Sequence, residues 1–428
     1  MPVPAPARGA GEGVSLPKPK HDGVANDSLS PSRWLRPTLI AMSIDMVGVL
    51  PIFLTGAMAV QLEADIGLNV GSLGFVYASY FAAAAVLSAP VGRISERTGP
   101  GLALRVGTLV SITSLGGICA FVNSPWTLTA LLVMAGLGTS LTRTASSVLV
   151  ARAVNPARQG FAFGLKNSSI PLGALVAGLA VPLVALPFGW RWSFGLAAGL
   201  SLGVMASIPR QVPRPPRRAQ QAERDLPLRV VGLAAVAFAL GASAASSLGA
   251  FTVVTAVERG VPEAAAGLLV AFGSVIGLLS RLLTGRWSDS RTGSQLDLAA
   301  ALLTLGGAGY LLIAVGGPAV LWLAIPVAYG TGWSFFGSFN LAIVRLNPNA
   351  PGAAVGITQT GAFVGSIIGP ITIGLLADHL SFRAAWSASA VAGVAAGLIT
   401  FAIREFSIKE PARRRSSPEQ VGNESKGA

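Results

Sequence analysis

The chain has 428 residues, of which 52% are hydrophobic and only 11% charged. A soluble globular domain carries roughly 25% charged residues, so an ordinary soluble enzyme, a disulfide-stapled secreted domain and a disordered chain are all excluded. The net charge of +13 would suit a nucleic-acid binder if the basic residues shared one folded face. Instead they sit in short patches between long apolar runs, the arrangement that orients a protein in a membrane.

Residues 1–34 are rich in Pro, Gly, Ser and charge and are expected to form a disordered cytoplasmic tail. No cleavable leader is expected, because the first long apolar run begins near Leu35 and is itself long enough to span. A bilayer core of ~30 Å needs ~20 helical residues. Spans are predicted at 36–60, 71–92, 101–121, 127–150, 160–185, 191–208, 229–253, 264–284, 296–315, 318–342, 353–377 and 384–404, twelve in all. Nearly all of the 31 Lys and Arg fall in the tails and in alternate loops. Arg191, Arg259 and Arg383 are assigned to the opposite loops, and Arg143 and Lys166 to the spans. The positive-inside rule then puts both termini in the cytoplasm of a multi-pass plasma (inner) membrane protein.

Between the sixth and seventh spans lies a break, 209–229, containing Arg214, Pro215, Pro216, Arg217 and Arg218. Proline opposes helix and the charge opposes membrane, so this reads as a cytoplasmic linker between an N-terminal half, 35–208, and a C-terminal half, 230–405. Residues 406–428 read as a second cytoplasmic tail, with Arg413 to Arg415 a charge run suited to anionic lipid. One constant offset carries Asn155-Pro156 onto Asn347-Pro348, Gly160 onto Gly352, Gly164 onto Gly356, Gly173 onto Gly365 and Arg191 onto Arg383. One position further, Gly92-Arg93 and Glu96 fall on Gly285-Arg286 and Asp289. The predicted fold is therefore an all-α integral membrane protein with twelve transmembrane helices in two six-helix pseudo-repeats, its site at the midplane between them.

Three ionisable residues are placed deep in the spans: Asp45, Arg143 and Lys166. At ~1.5 Å per helical residue, each lies roughly 12–14 Å from the nearest flanking arginine, close to the middle of the core. A charge there costs at least ~2.5–3.5 kcal/mol unless paired or hydrated. Two cations share one acid, so one of them is left for a substrate anion. A purely structural alternative pairs Asp45 with Arg143 to tie spans 1 and 4. Asp45 is the candidate proton-coupling carboxylate, since protonation would release its partner. Asn167 neighbours Lys166, and Gln359 and Thr360 occupy the repeat positions of Asn167 and Ser168. These could bind a polar substrate or bond helix to helix. Trp333, Phe336 and Asn340 are spaced to share a helical face, either a cavity wall or a packing stripe. Gly361, Gly365 and Gly369 recur every four residues, which suits close helix packing, and Pro370 suits a bend.

The segment after span 2 reads Gly92-Arg93-Ile94-Ser95-Glu96-Arg97-Thr98-Gly99, and Gly285-Arg286-Trp287-Ser288-Asp289 repeats it after span 8, with Arg291 and Gly293 displaced by one. Together with Gly189-Trp190-Arg191-Trp192 opening span 6, these resemble the loop signatures of the major facilitator superfamily, with Glu96 where Asp is usual. The resemblance covers about 35–405. It implies the major facilitator fold, rocking of two halves, and a role in the inward/outward switch for Gly92, Arg93, Glu96, Arg97, Gly99, Gly285, Arg286, Asp289 and Arg291. The family's span-5 antiporter run is absent. Gly164 to Gly173, with Lys166-Asn167 and Ile170-Pro171-Leu172-Gly173, is closer to the cyanate-transporter-like branch.

The expected function is secondary active transport of a small solute, an organic or inorganic anion, by proton-coupled alternating access. The alternative is proton-driven efflux of hydrophobic drugs. Arg143, Lys166, Asn167, Gln359, Thr360, Trp333 and Asn340 are the candidate substrate residues. The expected partners are the solute, protons and the lipid bilayer, with the chain a monomer and no nucleic acid involved. No cofactor or metal is expected: Cys119, His21 and His379 are too few, and no nucleotide-binding loop or catalytic set is present.

Overall fold

The computed structural model describes residues 31–98, 100–154, 158–208, 228–290, 295–347 and 351–416, and no strand occurs among them. In chain order the helices are α1 (Pro31–Ala57), α2 (Ala59–Ile66), α3 (Val70–Thr98), α4 (Gly101–Phe121), α5 (Pro125–Ala153), α6 (Gln159–Asn167), α7 (Ser169–Ala180), α8 (Leu186–Phe188) and α9 (Trp190–Ser207). A π-helical turn, Val181–Ala185, joins α7 to α8. After the linker come α10 (Leu228–Glu258), α11 (Glu263–Ser290), α12 (Gln295–Val315), α13 (Pro318–Gly332), α14 (Phe335–Leu346), α15 (Pro351–His379) and α16 (Phe382–Ser416).

Local chemistry sets several of these boundaries. Ser124 caps α5 by accepting from the Thr127 N–H while the Thr127 hydroxyl returns the bond, with Pro125 at the first helical position. Gly189 separates α8 from α9 at φ 96°, a left-handed conformation that glycine adopts without a Cβ penalty. The fifth and tenth predicted spans are each interrupted, by Ser168 between α6 and α7 and by Trp333–Ser334 between α13 and α14.

Eleven helical segments among the described residues are long and apolar enough to cross a membrane. The predicted sixth span, α9, is helical over 18 residues but is not among them. Arg191 in its first turn and its several glycines and serines dilute its apolar character. The segments predicted as loops after spans 2 and 8 are helical through Thr98 and Ser290, and α16 continues to Ser416, well past the predicted end of span 12.

The N-terminal set (α1–α9) and the C-terminal set (α10–α16) meet where α3 packs on α15, α7 on α11 and α1 on α10. Backbone touches backbone there. A Cβ on Gly74 would lie 2.3 Å from the Pro370 carbonyl oxygen, and one on Gly56 would lie 2.1 Å from that of Gly249. Side-chain hydrogen bonds cross there too. The Tyr77 hydroxyl lies 2.8 Å from the carbonyl oxygens of both Ile52 and Gly249, and Gln61 Nε2 donates to Glu263 Oε1 at 2.9 Å. Gln61, Gly74 and Glu263 stand near the ends of α2, α3 and α11, so this closure lies at the end of the bundle away from the chain termini. Within the C-terminal set, α15 lies against α10 through Gly361, Gly365 and Gly369, where added Cβ atoms would fall 2.2, 2.0 and 2.2 Å from the carbonyl oxygens of Ala235, Ala239 and Ser243. α15 remains helical through Pro370.

Candidate functional site

Asp45 lies in the middle of α1 and is almost wholly buried. Gly48, one turn on, lets α5 approach closely, for a Cβ there would lie 2.8 Å from Thr142 Oγ1. That approach brings the α5 face carrying Arg143, Ser146 and Ser147 against Asp45. Lys166 Nζ pairs with Asp45 Oδ2 at 2.9 Å, with both side chains 3% exposed or less. Ser146 Oγ donates to Asp45 Oδ1 at 2.6 Å. Lys166 Nζ also donates to Ser147 Oγ at 2.9 Å and to the Arg143 carbonyl at 3.4 Å, so all three ammonium protons have acceptors. Such full satisfaction is what a buried ion pair requires to offset the cost of desolvation.

The ion pair of the acid is therefore with Lys166 of span 5 and not with Arg143, while span 4 reaches the acid through the Ser146 hydroxyl. Lys166 is the penultimate residue of α6, just before the break at Ser168, and its long side chain reaches α1 and α5. Arg143 is left over. It is half-buried, and no hydrogen bond or ion pair joins its guanidinium to another described residue.

A fourth deep charge, Arg281 on α11, escaped the sequence reading because it lies near the end of a predicted span and was counted with the flanking basic residues. It is 8% exposed. Its Nη1 donates to the Asn167 carbonyl at 2.6 Å, and its Nε and Nη2 donate to the Trp333 carbonyl at 3.2 and 2.8 Å. No carboxylate pairs with it among the described residues. Ser146 and Ser147 were also missed. Their spacing of three and four residues from Arg143 puts them on its helical face, which is the signal that could have found them.

The other expected residues fall into different settings. The Asn167 carboxamide has no partner among the described residues, although its backbone carbonyl holds Arg281. Asn340 and Gln359 are half-buried on neighbouring α14 and α15, and Asn340 Oδ1 and Gln359 Oε1 are buried without a hydrogen-bond partner among the described residues. Thr360 is exposed and donates to the Gly356 carbonyl at 3.0 Å. Trp333 is buried, its indole N–H donating to the Ala245 carbonyl at 2.6 Å and its ring meeting Phe53 of the N-terminal set at 5.6 Å. Phe336 joins Phe238, Phe335 and Phe339 in one aromatic cluster. Of the switch-loop residues, Gly92, Arg93, Glu96 and Arg97 lie on the last turns of α3, and the side chains of the last three are outside the described residues. Gly285 and exposed Arg286 lie on α11. Asp289 is helical with its side chain outside the description, as are Gly99 and Arg291 altogether. No cluster of His, Cys, Asp and Glu able to hold a metal occurs among the described residues.

The charge arithmetic of the site is its main chemical property. Asp45 pairs with Lys166, Arg143 lies on the α5 face that carries Ser146 and Ser147, and Arg281 binds the carbonyl of Asn167, the residue after Lys166. Lys166 cancels Asp45, leaving two guanidiniums without carboxylates among the described residues.

The family profile of the Major Facilitator Superfamily matches residues 39–360. Among curated proteins, an uncharacterized transporter, YycB, of Bacillus subtilis (strain 168) is 24% identical over 339 residues, 76% of this chain and 82% of that protein. An uncharacterized MFS-type transporter, MT3072, of Mycobacterium tuberculosis (strain CDC 1551 / Oshkosh) is 26% identical over 357 residues, 76% of this chain and 75% of its own length. A gentisate transporter of Corynebacterium glutamicum is 26% identical over 175 residues, 40% of this chain and 38% of that protein.

Proposed function

This chain belongs to the major facilitator superfamily and is a multi-pass membrane transporter; on that premise we propose that it moves a small organic or inorganic anion together with a proton by alternating access. The reading takes α1–α9 and α10–α16 as two six-helix repeats, with α9 as the twelfth membrane helix. It puts the termini in the cytoplasm of a plasma-membrane protein, by the positive-inside rule. The nearness of Lys166-Asn167 and Ile170 to Gly173 to the cyanate-transporter-like branch fits a small anion, and a gentisate transporter among the relatives fits a carboxylate.

The observation that carries the reading is the excess of buried cations. With all four groups ionised, Asp45, Lys166, Arg143 and Arg281 sum to two positive charges in a region where charge is costly. A monoanion arriving with one proton leaves that sum unchanged, whereas either alone shifts it. Protonation of Asp45 at Oδ2 frees Lys166 Nζ from its carboxylate, and the ammonium then meets the substrate anion. Arg143, whose guanidinium has no partner among the described residues, supplies a second contact. Asn167, Gln359 and Asn340 offer polar groups to the rest of the solute, with Thr360 and Trp333 at its margins. The turns carrying Gly92 to Gly99 and Gly285 to Arg291 act as the switch between the two access states. The chain works as a monomer without a cofactor.

The test is thermal unfolding of the purified protein with gentisate, benzoate, cyanate and, as the opposing class, lipophilic cations. A ligand at 100 times its dissociation constant stabilises the state that binds it by about 2.7 kcal/mol, so a substrate registers as a raised Tm. The anions raise Tm in the wild type, and Lys166→Gln abolishes the effect. In liposomes an imposed pH gradient drives accumulation of the same anion, while Asp45→Asn retains only exchange. Stabilisation by lipophilic cations alone overturns the reading in favour of drug efflux, which the aromatic cluster around Phe238 would then serve.

A further inference from the structure

Arg281 stands apart from the ion pair. Its guanidinium is buried, yet its described partners are two backbone carbonyls, and each is available for a local reason. A helical carbonyl accepts from the N–H four residues on. For Asn167 that residue is Pro171, which has no N–H. Trp333 occupies the break where α13 has ended and α14 has not begun. The C-terminal poles of α6 and α13, both partly negative, therefore converge on one cation. One carbonyl belongs to the N-terminal set and the other to the C-terminal set, so the guanidinium staples the two together at the level of the Asp45 network.

A guanidinium held only by dipoles is open to competition from a full charge. Three of its five N–H donors are used, so a carboxylate can engage the remaining ones before either carbonyl is released. A carboxylate brings a full negative charge where a carbonyl brings only a dipole, and the planar fork can donate to it through two bonds at once. We propose that Arg281 is the positioning residue that couples substrate to movement: an anion beside Lys166 draws the guanidinium away from the Asn167 carbonyl and releases the N-terminal helix set from the C-terminal one. This inference rests on the anion reading above.

The test uses the full chain in nanodiscs with Cys119→Ser, carrying spin labels at Ala151→Cys and Val344→Cys, which are exposed positions on α5 and α14. Gentisate, benzoate and cyanate are the probes, and binding is followed in parallel by Tm. In the wild type, an anion that raises Tm also shifts the label-to-label distance. Arg281→Gln, which lacks the staple, rests at the shifted distance without anion, binds that anion at least tenfold more weakly, and shows no further change at saturation. Arg281→Lys recovers part of the affinity but not the shift, because an ammonium cannot span both carbonyls. Pro171→Ala returns an N–H to the Asn167 carbonyl, so the shifted distance is already populated without anion. A role limited to structure would lower stability in these variants while leaving the anion-driven shift intact. An unaltered shift in Arg281→Gln, or an unaltered resting distance in Pro171→Ala, overturns this inference alone. The absence of any anion response in the wild type overturns the anion reading and this inference with it.

Discussion

The two helix sets hold their most buried charges in opposite ways. In the N-terminal set, Asp45, Lys166, Ser146 and Ser147 come from α1, α5 and α6 and satisfy one another within the set. In the C-terminal set, Arg281 finds no acid among the described residues and reaches across the boundary for one of its two carbonyls. Among the described residues the amide oxygens of Asn340 and Gln359 find no hydrogen-bond partner, nor do the Ser140 and Ser193 hydroxyls of the N-terminal set. A network closed within one set is insensitive to rocking of the sets, because all its members travel together. A bond that crosses the boundary must be remade in every cycle. The first arrangement stores a charge pair that a proton can open, and the second reports where the two sets stand.

The comparison is broken most forcefully at the ion pair. Removing one member strands a buried charge, so Lys166→Ala or Asp45→Leu alone costs about 3–5 kcal/mol. Asp45→Asn with Lys166→Gln removes both charges together and recovers most of that loss. Denaturant or thermal unfolding in detergent checks both statements, and transport of the double variant is expected to be absent even though its fold returns. Single variants as stable as the wild type would mean that water reaches the pair and the network is not closed.

Next in size is the packing of α15 on α10. A Cβ on Gly365 would lie 2.0 Å from the Ala239 carbonyl oxygen, which is backbone and cannot swing aside. Gly365→Val forces the helices apart, at a cost of about 1–3 kcal/mol for overpacking. The effect is confined to the C-terminal set, so Gly365→Val lowers Tm while the Asp45 network keeps its anion response. Gly285, which has open space around it, tolerates the same change.

The boundary itself is sharpened by Tyr77→Phe. The hydroxyl proton is shared between the carbonyl oxygens of Ile52 in its own set and Gly249 in the other. Its loss costs about 0.5–1.5 kcal/mol, but that loss falls only on the conformation in which the far end is closed. Spin-label distances across the boundary are therefore expected to shift more clearly than Tm does.

Much of this was legible in the sequence. Hydropathy marked eleven of the twelve predicted spans, which are helices long and apolar enough to cross a membrane. Depth singled out Asp45 and Lys166, which the fold joins in one ion pair. The four-residue spacing of Gly361, Gly365 and Gly369 announced a close-packed face. Other features were hidden because they depend on which helix lies opposite. Pro171 removes a donor in any sequence reading, yet only the position of α11 shows that Arg281 takes the freed carbonyl. Trp333, expected on one face with Phe336 and Asn340, falls in the break between α13 and α14, so a helical spacing does not hold across it. The partner of Asp45 was ambiguous for a similar reason, since depth ranked Arg143 and Lys166 equally and only the packing of the helices decides between them.

The smallest effects are expected at the exposed ends, where the two sets resemble each other again. Asp65 on α2 accepts from the Trp190 indole N–H at 3.1 Å and pairs with Arg191 at 3.3 Å, the side chains being 51% and 39% exposed. Asp297 on α12 pairs with Arg404 on α16 at 2.9 Å, at 44% and 30% exposure. Water screens both pairs, so Asp65→Asn and Asp297→Asn each cost about 0–1 kcal/mol, less at high salt. Arg404 should be the less sensitive of the two cations to loss of its acid, because it keeps a second carboxylate, Glu405, and lies over the Phe401 ring at 5.7 Å, whereas Arg191 keeps the Val122 carbonyl at 2.8 Å and the Trp190 ring at 4.5 Å. Unfolding at low and high ionic strength measures the difference. A loss of several kcal/mol at either end would mean that the surface pairs, and not the buried network, hold the helix sets in register.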